Sequence, residues 1–427
     1  MATIIPFKAV RPADGESAEK IAALPYDVFT EEEVRELAAA NPLSFIRVDR
    51  AEADFHEGTD PYSDEVYAAA NGNYKYLLES GVLIQDEDEA LYLYELTKDG
   101  RSQLGIVCCA SACDYISGVI KQHELTRHGK EEDRIRHSET LGVHASPVFM
   151  FRERSAMLSS LTSVWSAGHE PIYRFVTDDG VGHKVYKIDN ENVIRSIVAA
   201  FSTLGSLYIA DGHHRAASAA AISQKRRSVN GKKCGEEEYD YFLTVIFPAE
   251  ELRIYDFNRF ITDTGFNTAE EFVDKVREKF VVRYKDEGSG GKGSFAYRPG
   301  KRHEMGLYVD GRWYCMVIKE EYLPKGGGYA DSMDASLLQE LLIGPVIGIE
   351  DARRDERIDF IGGVKGLGAL ERLVDAETVK GKTAAAFAMY PVSIEEVVKL
   401  SSAGEIMPPK STWFEPKLLS GLFVHPF

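Results

Sequence analysis

The sequence predicts a mixed α/β (α+β) protein, and three observations carry that expectation. Short runs with the two-residue alternation of strands recur along the whole chain, interleaved with runs of helical period. Turn signals rich in Gly, Asn and Asp separate them. The 427 residues are 44% hydrophobic and 28% charged, a balance in the range of folded globular chains. At about 150 residues per domain, this length suggests two or three domains. The expected segments are 1–85, 86–260 and 261–427, with no internal repeat.

The elements follow in chain order. Thr30 and Glu33 form a capping-box pattern ahead of a helix over 34–40, since each side chain can satisfy a backbone N–H at the helix start. A second helical pattern covers 67–78. From 90 to 112 the pattern turns to strands, with Asp99-Gly100 as a hairpin signal. The charged stretch 121–137 reads as a loop running into a helix. Strands are expected at 148–151, 185–188, 242–247 and 252–256, and helices at 155–167 and 190–204. The apolar run 207–210 ends in Asp211-Gly212 and continues as an Ala-rich helix to about 224. The Gly-rich stretch 286–294 reads as a flexible hairpin tip or linker. Short strands and helices then alternate over 305–309, 313–318, 336–342, 367–374, 384–390 and 394–401.

Charge and cysteine content narrow the function classes. Fifty Lys and Arg against 68 Asp and Glu leave a net charge of −18. That balance repels polyanions, and no basic recognition helix is present, so neither DNA nor a membrane surface is an expected partner. The five cysteines include no C-x-x-C pair, so reduced thiols and a cytoplasmic location are expected. The first residues lack the basic and apolar regions of a signal peptide. The longest apolar stretch, 341–349, is nine residues and holds two glycines and a proline, against about 18 needed to span a membrane.

Common nucleotide and metal motifs fail on inspection. Gly381-Lys382-Thr383 resembles the end of a P-loop, but Ala376 stands where its first glycine belongs. The glycines between Gly362 and Gly368 do not have dinucleotide-fold spacing. His123-Glu124-Leu125-Thr126-Arg127 has Arg where a zinc-protease helix needs its second His.

Four constellations remain. In Asp211-Gly212-His213-His214-Arg215 a central strand turns into a helix, whose first N–H groups lack internal partners and suit a phosphate. His213, His214 and Arg215 add donors, and Asp211 offers a ligand for Mg²⁺ or an acceptor for a proton. An Asp-Gly turn with a satisfied histidine pair fits the same residues. Met407-Pro408-Pro409-Lys410-Ser411-Thr412 offers a cation and two hydroxyls to a phosphate oxygen, or is an ordinary exposed loop. The block of His123, Glu124, Arg127, Arg134 and His137 is a lid over a charged substrate, or a solvated helix face. In Pro25-Tyr26-Asp27-Val28, Asp27 is a turn residue or a functional carboxylate.

The sequence is identified as a member of the bacterial domain-of-unknown-function family 1015, often labelled ParB-like. The matching pieces run in order from Pro6-Phe7-Lys8-Ala9 and Arg11-Pro12 through Pro25-Tyr26-Asp27-Val28, Asn41-Pro42-Leu43-Ser44-Phe45, the block Lys121 to His137 and Ala210 to Arg215. They end with Met407 to Phe414 and Pro416-Lys417-Leu418-Leu419-Ser420-Gly421. Two pieces also resemble the free-serine kinases of the ParB/sulfiredoxin-like superfamily, which have an Asp-Gly-His-His-Arg turn and a Pro-Lys-Thr/Ser-Thr segment after a Gly-Glu pair.

The resemblance implies a ParB/sulfiredoxin-like core and phosphoryl transfer from ADP or ATP to a small hydroxyl compound, free serine first, with Mg²⁺. It implies that Asp211, Gly212, His213, His214 and Arg215 handle phosphates, and that Lys410, Ser411 and Thr412 bind phosphate from the other side of one pocket. Asp211 and His214 are also catalytic candidates. For the base, Asp14 matches the kinases' spacing after Arg11-Pro12, and Asp27 is its rival. His213 stands where a sulfiredoxin needs Cys. A non-catalytic nucleotide-binding partition or regulatory protein, and a phosphatase using the same pocket, are the alternative readings.

Overall fold

The computed structural model describes residues 1–284 and 296–427. The Gly-rich 286–294 stretch lies outside the described residues. The architecture is mixed α/β, with helices among sheets that contain both parallel and antiparallel pairs. The chain divides into two compact units, Met1–Leu252 with Pro416–Phe427, and Arg253–Glu415. The boundary expected near 85 falls at the end of the strand Leu83–Gln85, and the one near 260 falls inside the strand Phe257–Ile261.

Among the described residues, nine strands of the first unit form one sheet. They are β1 (Ile4–Ile5), β2 (Leu91–Lys98), β3 (Arg101–Ser111), β4 (Ile120–Lys121), β5 (Val148–Arg152), β6 (Tyr173–Val176), β7 (Gly182–Ile188), β8 (Leu207–Asp211) and β9 (Tyr241–Pro248). Their order is β4-β8-β5-β9-β3-β2-β7-β6, with β1 beside β3. The β2–β3 hairpin turns at Asp99 (φ 51°) and Gly100 (φ 74°). Both are left-handed, as the hairpin turn signalled by Asp-Gly requires. Leu91, Leu93, Ile106, Met150, Ile209 and Ile246 pack with Ala216 and Ala219 of the helix His213–Asn230 in one core.

β8 positions the candidate turn. It lies one place in from the edge, not at the centre of the sheet as expected. It pairs in parallel with β4 only at Leu207 and Tyr208, and antiparallel with β5. Against β5 its register shifts between Ile209 and Asp211. Such a bulge bends a strand and re-aims its side chains, so the chain leaves the sheet at Asp211.

In the second unit β10 (Phe257–Ile261), β11 (Phe280–Tyr284), β12 (Glu304–Val309), β13 (Arg312–Ile318), β14 (Ile358–Gly362) and β15 (Ala385–Ala388) form an antiparallel sheet. Their order is β11-β13-β12-β15-β10-β14. The helix Ala269–Lys279 contributes Phe272, Val273 and Val276 to one core with Ile261, Leu307 and Phe387. The helix Leu367–Val379 contributes Leu370 and Val374 to another with Phe260, Tyr308 and Trp313.

One expectation is corrected. Cys113 and Cys234 form a disulfide, with Cα atoms 6.4 Å apart across 121 residues of sequence. No local spacing reveals a pair so distant in sequence, so the expectation of reduced thiols throughout fails. Cys108, Cys109 and Cys315 are free and buried. Among the described residues no helix is long and apolar enough to cross a membrane.

Candidate functional site

The turn after β8 is built as its residue types demand. Gly212 has φ 91°, and a Cβ there would stand 3.4 Å from the Arg215 guanidinium and 3.5 Å from the Val148 Cα. Only glycine adopts that backbone freely. Asp211 Oδ1 accepts the Gly212 N–H at 2.8 Å, and its Oδ2 accepts from Lys417 Nζ at 2.8 Å. His213 then opens an 18-residue helix to Asn230. Burial pushes the Asp211 carboxyl upward, but the charges of Lys417 and Arg215 outweigh it and hold the group well below the usual carboxylate range. Asp211 is therefore an ionised anchor, and a poor proton acceptor.

The histidines divide their work. His213 is buried and packs edge-on against His123, with ring centroids 4.5 Å apart. Its Nε2 accepts the His123 backbone N–H at 3.5 Å. Burial lowers His123 to about 4 and, with His123 beside it disfavouring a second proton, holds His213 well below its ordinary value. Both rings are neutral near pH 7, so His213 brings no cationic charge to a phosphate. His214 Nε2 accepts the Arg127 N–H at 3.0 Å, which ties the 123–127 loop to the helix start. Arg215 Nη1 donates to the Pro147 carbonyl.

The charged block joins the same unit through Tyr26. The Arg134 guanidinium stacks 4.4 Å from the Tyr26 ring centre and bonds Asp133 at 2.8 Å, while Tyr67 donates to Asp133 at 2.7 Å. Burial raises Tyr26 to about 12 against the opposing charge of Arg134, with Asp27 adding to the rise and Arg215 opposing it. His137 is buried and donates from Nε2 to the Val48 carbonyl at 2.8 Å, and burial lowers it to about 4. The 417–421 stretch closes the arrangement. Ala23 and Ser420 exchange backbone hydrogen bonds at 3.2 and 2.8 Å, and the Ser420 hydroxyl meets Ser146, which bonds Asp49 at 3.2 Å.

The structure thus gathers the Tyr26 segment, the 123–137 block, residues 211–215 and Lys417. Asp27 is exposed beside buried Tyr26. Glu124 is half-buried in the loop next to His123. Asp14 caps the helix Gly15–Ile21, accepting the Ser17 N–H at 2.8 Å, and that bond keeps its carboxyl below the ordinary value. Lys410, Ser411 and Thr412 belong to the second unit, residues 211–215 to the first. Lys410 has φ 56°, with Nζ 5.7 Å from the Phe257 ring centre, and Ser411 donates to the Pro408 carbonyl at 2.7 Å. Among the described residues no group of three or more His, Cys, Asp or Glu stands together to hold a metal ion.

Sequence reasoning did not single out Lys417 or Tyr26 as site residues. Lys417 is a lone cation after a proline, and only its family stretch marked it. The partner that gives it meaning is 206 residues away.

The family model for DUF1015, described as a protein of unknown function, matches residues 4–341. The chain belongs to this family. No curated protein matches this DUF1015 member. Among solved structures it is similar to a mutant free serine kinase in complex with AMP, at 16% identity over 71% of this chain and 89% of that one, with a TM-score of 0.32. It is similar to a conserved hypothetical protein from Pyrococcus furiosus, at 15% identity over 72% and 91%, TM-score 0.32. It is also similar to SbnI with a C-terminal truncation from Staphylococcus aureus, at 10% identity over 75% and 87%, TM-score 0.37. Likeness at this level assigns no role to any residue here.

Proposed function

We propose that this DUF1015 member is a nucleotide-dependent phosphotransferase. It moves a phosphoryl group from ADP or ATP to the hydroxyl of a small molecule, with free serine the first acceptor to test. The observation that carries the reading is the meeting of the Asp211–Lys417 pair and Arg215 at the start of the His213–Asn230 helix. The motif resemblance to free-serine kinases points to the same chemistry.

In this proposal the N–H groups of the first helical turn take a phosphate, because they have no partner within the helix. Lys417 and Arg215 offset its charge, and Asp211 holds Lys417 in place. The acceptor hydroxyl attacks phosphorus as the bond to the leaving phosphate oxygen breaks. The hydroxyl proton passes to a carboxylate, which we assign to Asp27 because Asp14 is occupied as a helix cap. Mg²⁺ arriving with the nucleotide would neutralise phosphate charge, with Asp211 the carboxylate at hand. Arg134 positions the Tyr26 segment, and His137 anchors the charged block to the Val48 carbonyl. Lys410, Ser411 and Thr412 enter as phosphate contacts of the second unit, to be tested on their own.

The test is incubation of the purified full chain with ADP or ATP, Mg²⁺ and a pool of amino acids, read by mass spectrometry. A new phosphorylated product, phosphoserine first, is expected. Nucleotide binding with no product across a broad hydroxyl pool would sink the transferase reading in favour of a binding protein.

A further inference from the structure

The second unit contains a small open cleft whose lining includes two arginines and two acidic residues, Arg259, Arg302, Asp334 and Glu396. Arg259 lies on interior strand β10, opposite Phe360 of β14 and Phe387 of β15. Along β10 the side chains alternate. Phe260 joins the core with Trp313, while Ile261 joins the core with Phe387. Arg259 shares the face of Ile261, where an apolar residue is expected. It is only 4% exposed and lines the cleft.

A guanidinium taken out of water is costly unless a carboxylate or several acceptors replace the water. Among the described residues, no Asp or Glu pairs with Arg259. Its Nη1 donates to the Phe257 carbonyl, and its carbon lies 5.4 Å from the Phe360 ring centre. Burial alone lowers its pKa to about 10, with no acidic group opposing the fall.

The other charged groups lining the cleft are already matched. Arg302 bonds Glu396 at 3.1 Å, and Asp334 accepts from His303 at 2.9 and 3.0 Å. Among the described residues, Arg259 is thus the charged group of the lining with no ionisable partner. Ser411 also lines the cleft, and Phe257 in its wall carries Lys410 Nζ on its ring. The remaining wall includes Met333, Met389 and Val392. A concave site that combines apolar walls with a few placed polar groups is the usual form of a small-ligand pocket.

We propose that this cleft binds the oxyanion group of a small molecule, a carboxylate or a phosphate, on the Arg259 guanidinium. The planar fork of Arg matches two oxygens of such a group, which Lys cannot do. The Ser411 hydroxyl and the apolar wall flank it. This site stands on the second unit alone; it shares Ser411 with the phosphate contacts named above but rests on Arg259, not on the transferase reading.

The test compares the full-length wild type with Arg259→Met, whose apolar side chain removes the uncompensated charge while filling similar volume. Thermal unfolding and calorimetric titration are run with inorganic phosphate, AMP and succinate. At least one probe is expected to bind the wild type and raise its unfolding midpoint. Arg259→Met is expected to bind that probe about tenfold more weakly or worse, while unfolding without ligand at an equal or higher midpoint. Which probe is lost tells phosphate from carboxylate. Arg259→Lys, which keeps the charge but loses the fork, serves if the Met variant does not fold, and it too should weaken binding. Lys275→Ala, an exposed change on the helix Ala269–Lys279, should leave binding of that probe intact. If no probe binds the wild type, or if Arg259→Met and Arg259→Lys bind as the wild type does, the proposal is overturned.

Discussion

Lys417 Nζ lies 2.8 Å from Asp211 Oδ2, and the two residues are 206 positions apart in sequence. The pair ties the C-terminal stretch of the first unit to the end of β8. It also sets the electrostatics of the turn, because Asp211 stays ionised beside both Lys417 and Arg215. The Lys417 side chain is 13% exposed and that of Asp211 30%. This is neither a solvated surface pair nor a dry one.

Lys417→Met should therefore destabilise the protein, by about 1–3 kcal/mol once solvent screening of the pair is allowed for. The pH dependence has a definite sign. The folded Asp211 has a lowered pKa, so its contribution is complete above the unfolded value near 4 and is lost as pH falls below it. Urea unfolding at pH 7, 5 and 3.5 should show the gap between wild type and variant narrowing toward the acid end. A gap that stays constant would mean that Asp211 does not draw its stabilisation from Lys417.

Gly212→Ala should cost about 1 kcal/mol or more, because φ 91° is strained for any residue with a Cβ. The Cβ would meet Arg215 and Val148 at van der Waals distance, so the cost lies in the backbone. Nucleotide affinity should fall with stability if the turn is the phosphate site. Calorimetry and thermal unfolding on the same preparation separate the two effects.

His123 gives a second acid-sensitive element, in a different pH window. Its folded pKa of about 4 lies below the unfolded value near 6.5, so the unfolded chain binds the proton first. Stability is full above about pH 6.5 and is lost progressively as pH falls toward 4, by on the order of 2–3 kcal/mol for one such group. His123→Gln should flatten the slope of unfolding free energy between pH 6.5 and 4.5. An unchanged slope would assign it to the other buried histidines, His137, His144, His183 and His213, all of which burial lowers.

The local parts of this fold were legible in the sequence, because local rules govern them. Asp99-Gly100 made its hairpin, Thr30 and Glu33 their capping box, and Asp211-Gly212 the strand-to-helix turn. The charged 121–137 stretch became a loop and a helix, His128–Leu141, as expected. The helix Ala269–Lys279 was missed although Thr268 caps it, because its charged composition masks the apolar spacing of Phe272, Val273 and Val276. Strand β6 was missed because only its alternate residues Tyr173 and Phe175 are buried, within a four-residue run. At the site, the 211–215 turn was legible, but the partners of its residues were not. Lys417, Tyr26 and the Cys113–Cys234 bridge depend on pairings across long stretches of chain, which no local spacing encodes. Arg259 fell outside the expected strands, the nearest of which ended at 256, and only burial without a carboxylate sets it apart.

Replacing Arg215 should separate phosphate binding from catalysis by the base. Removing a charge-assisted hydrogen bond from a partly buried site costs about 1.5–3 kcal/mol, so Arg215→Ala should weaken ADP or ATP binding about tenfold or more. Asp27→Asn should behave differently. A carboxylate that only receives the hydroxyl proton acts in the transition state, so its loss should lower turnover by about 10²–10⁴ with nucleotide affinity little changed. Asp14→Asn is the matched control. As a cap that accepts the Ser17 N–H, Asp14 can be replaced by Asn at small cost, since both residues cap helices well. Stopped assays with isotopically labelled nucleotide, run beside equilibrium binding, give both numbers for each variant. If Asp14→Asn loses turnover and Asp27→Asn does not, the base is the capping residue and the Tyr26 segment is structural. If neither loses turnover, the proton goes elsewhere, and half-buried Glu124, next to His123, is the next carboxylate to replace.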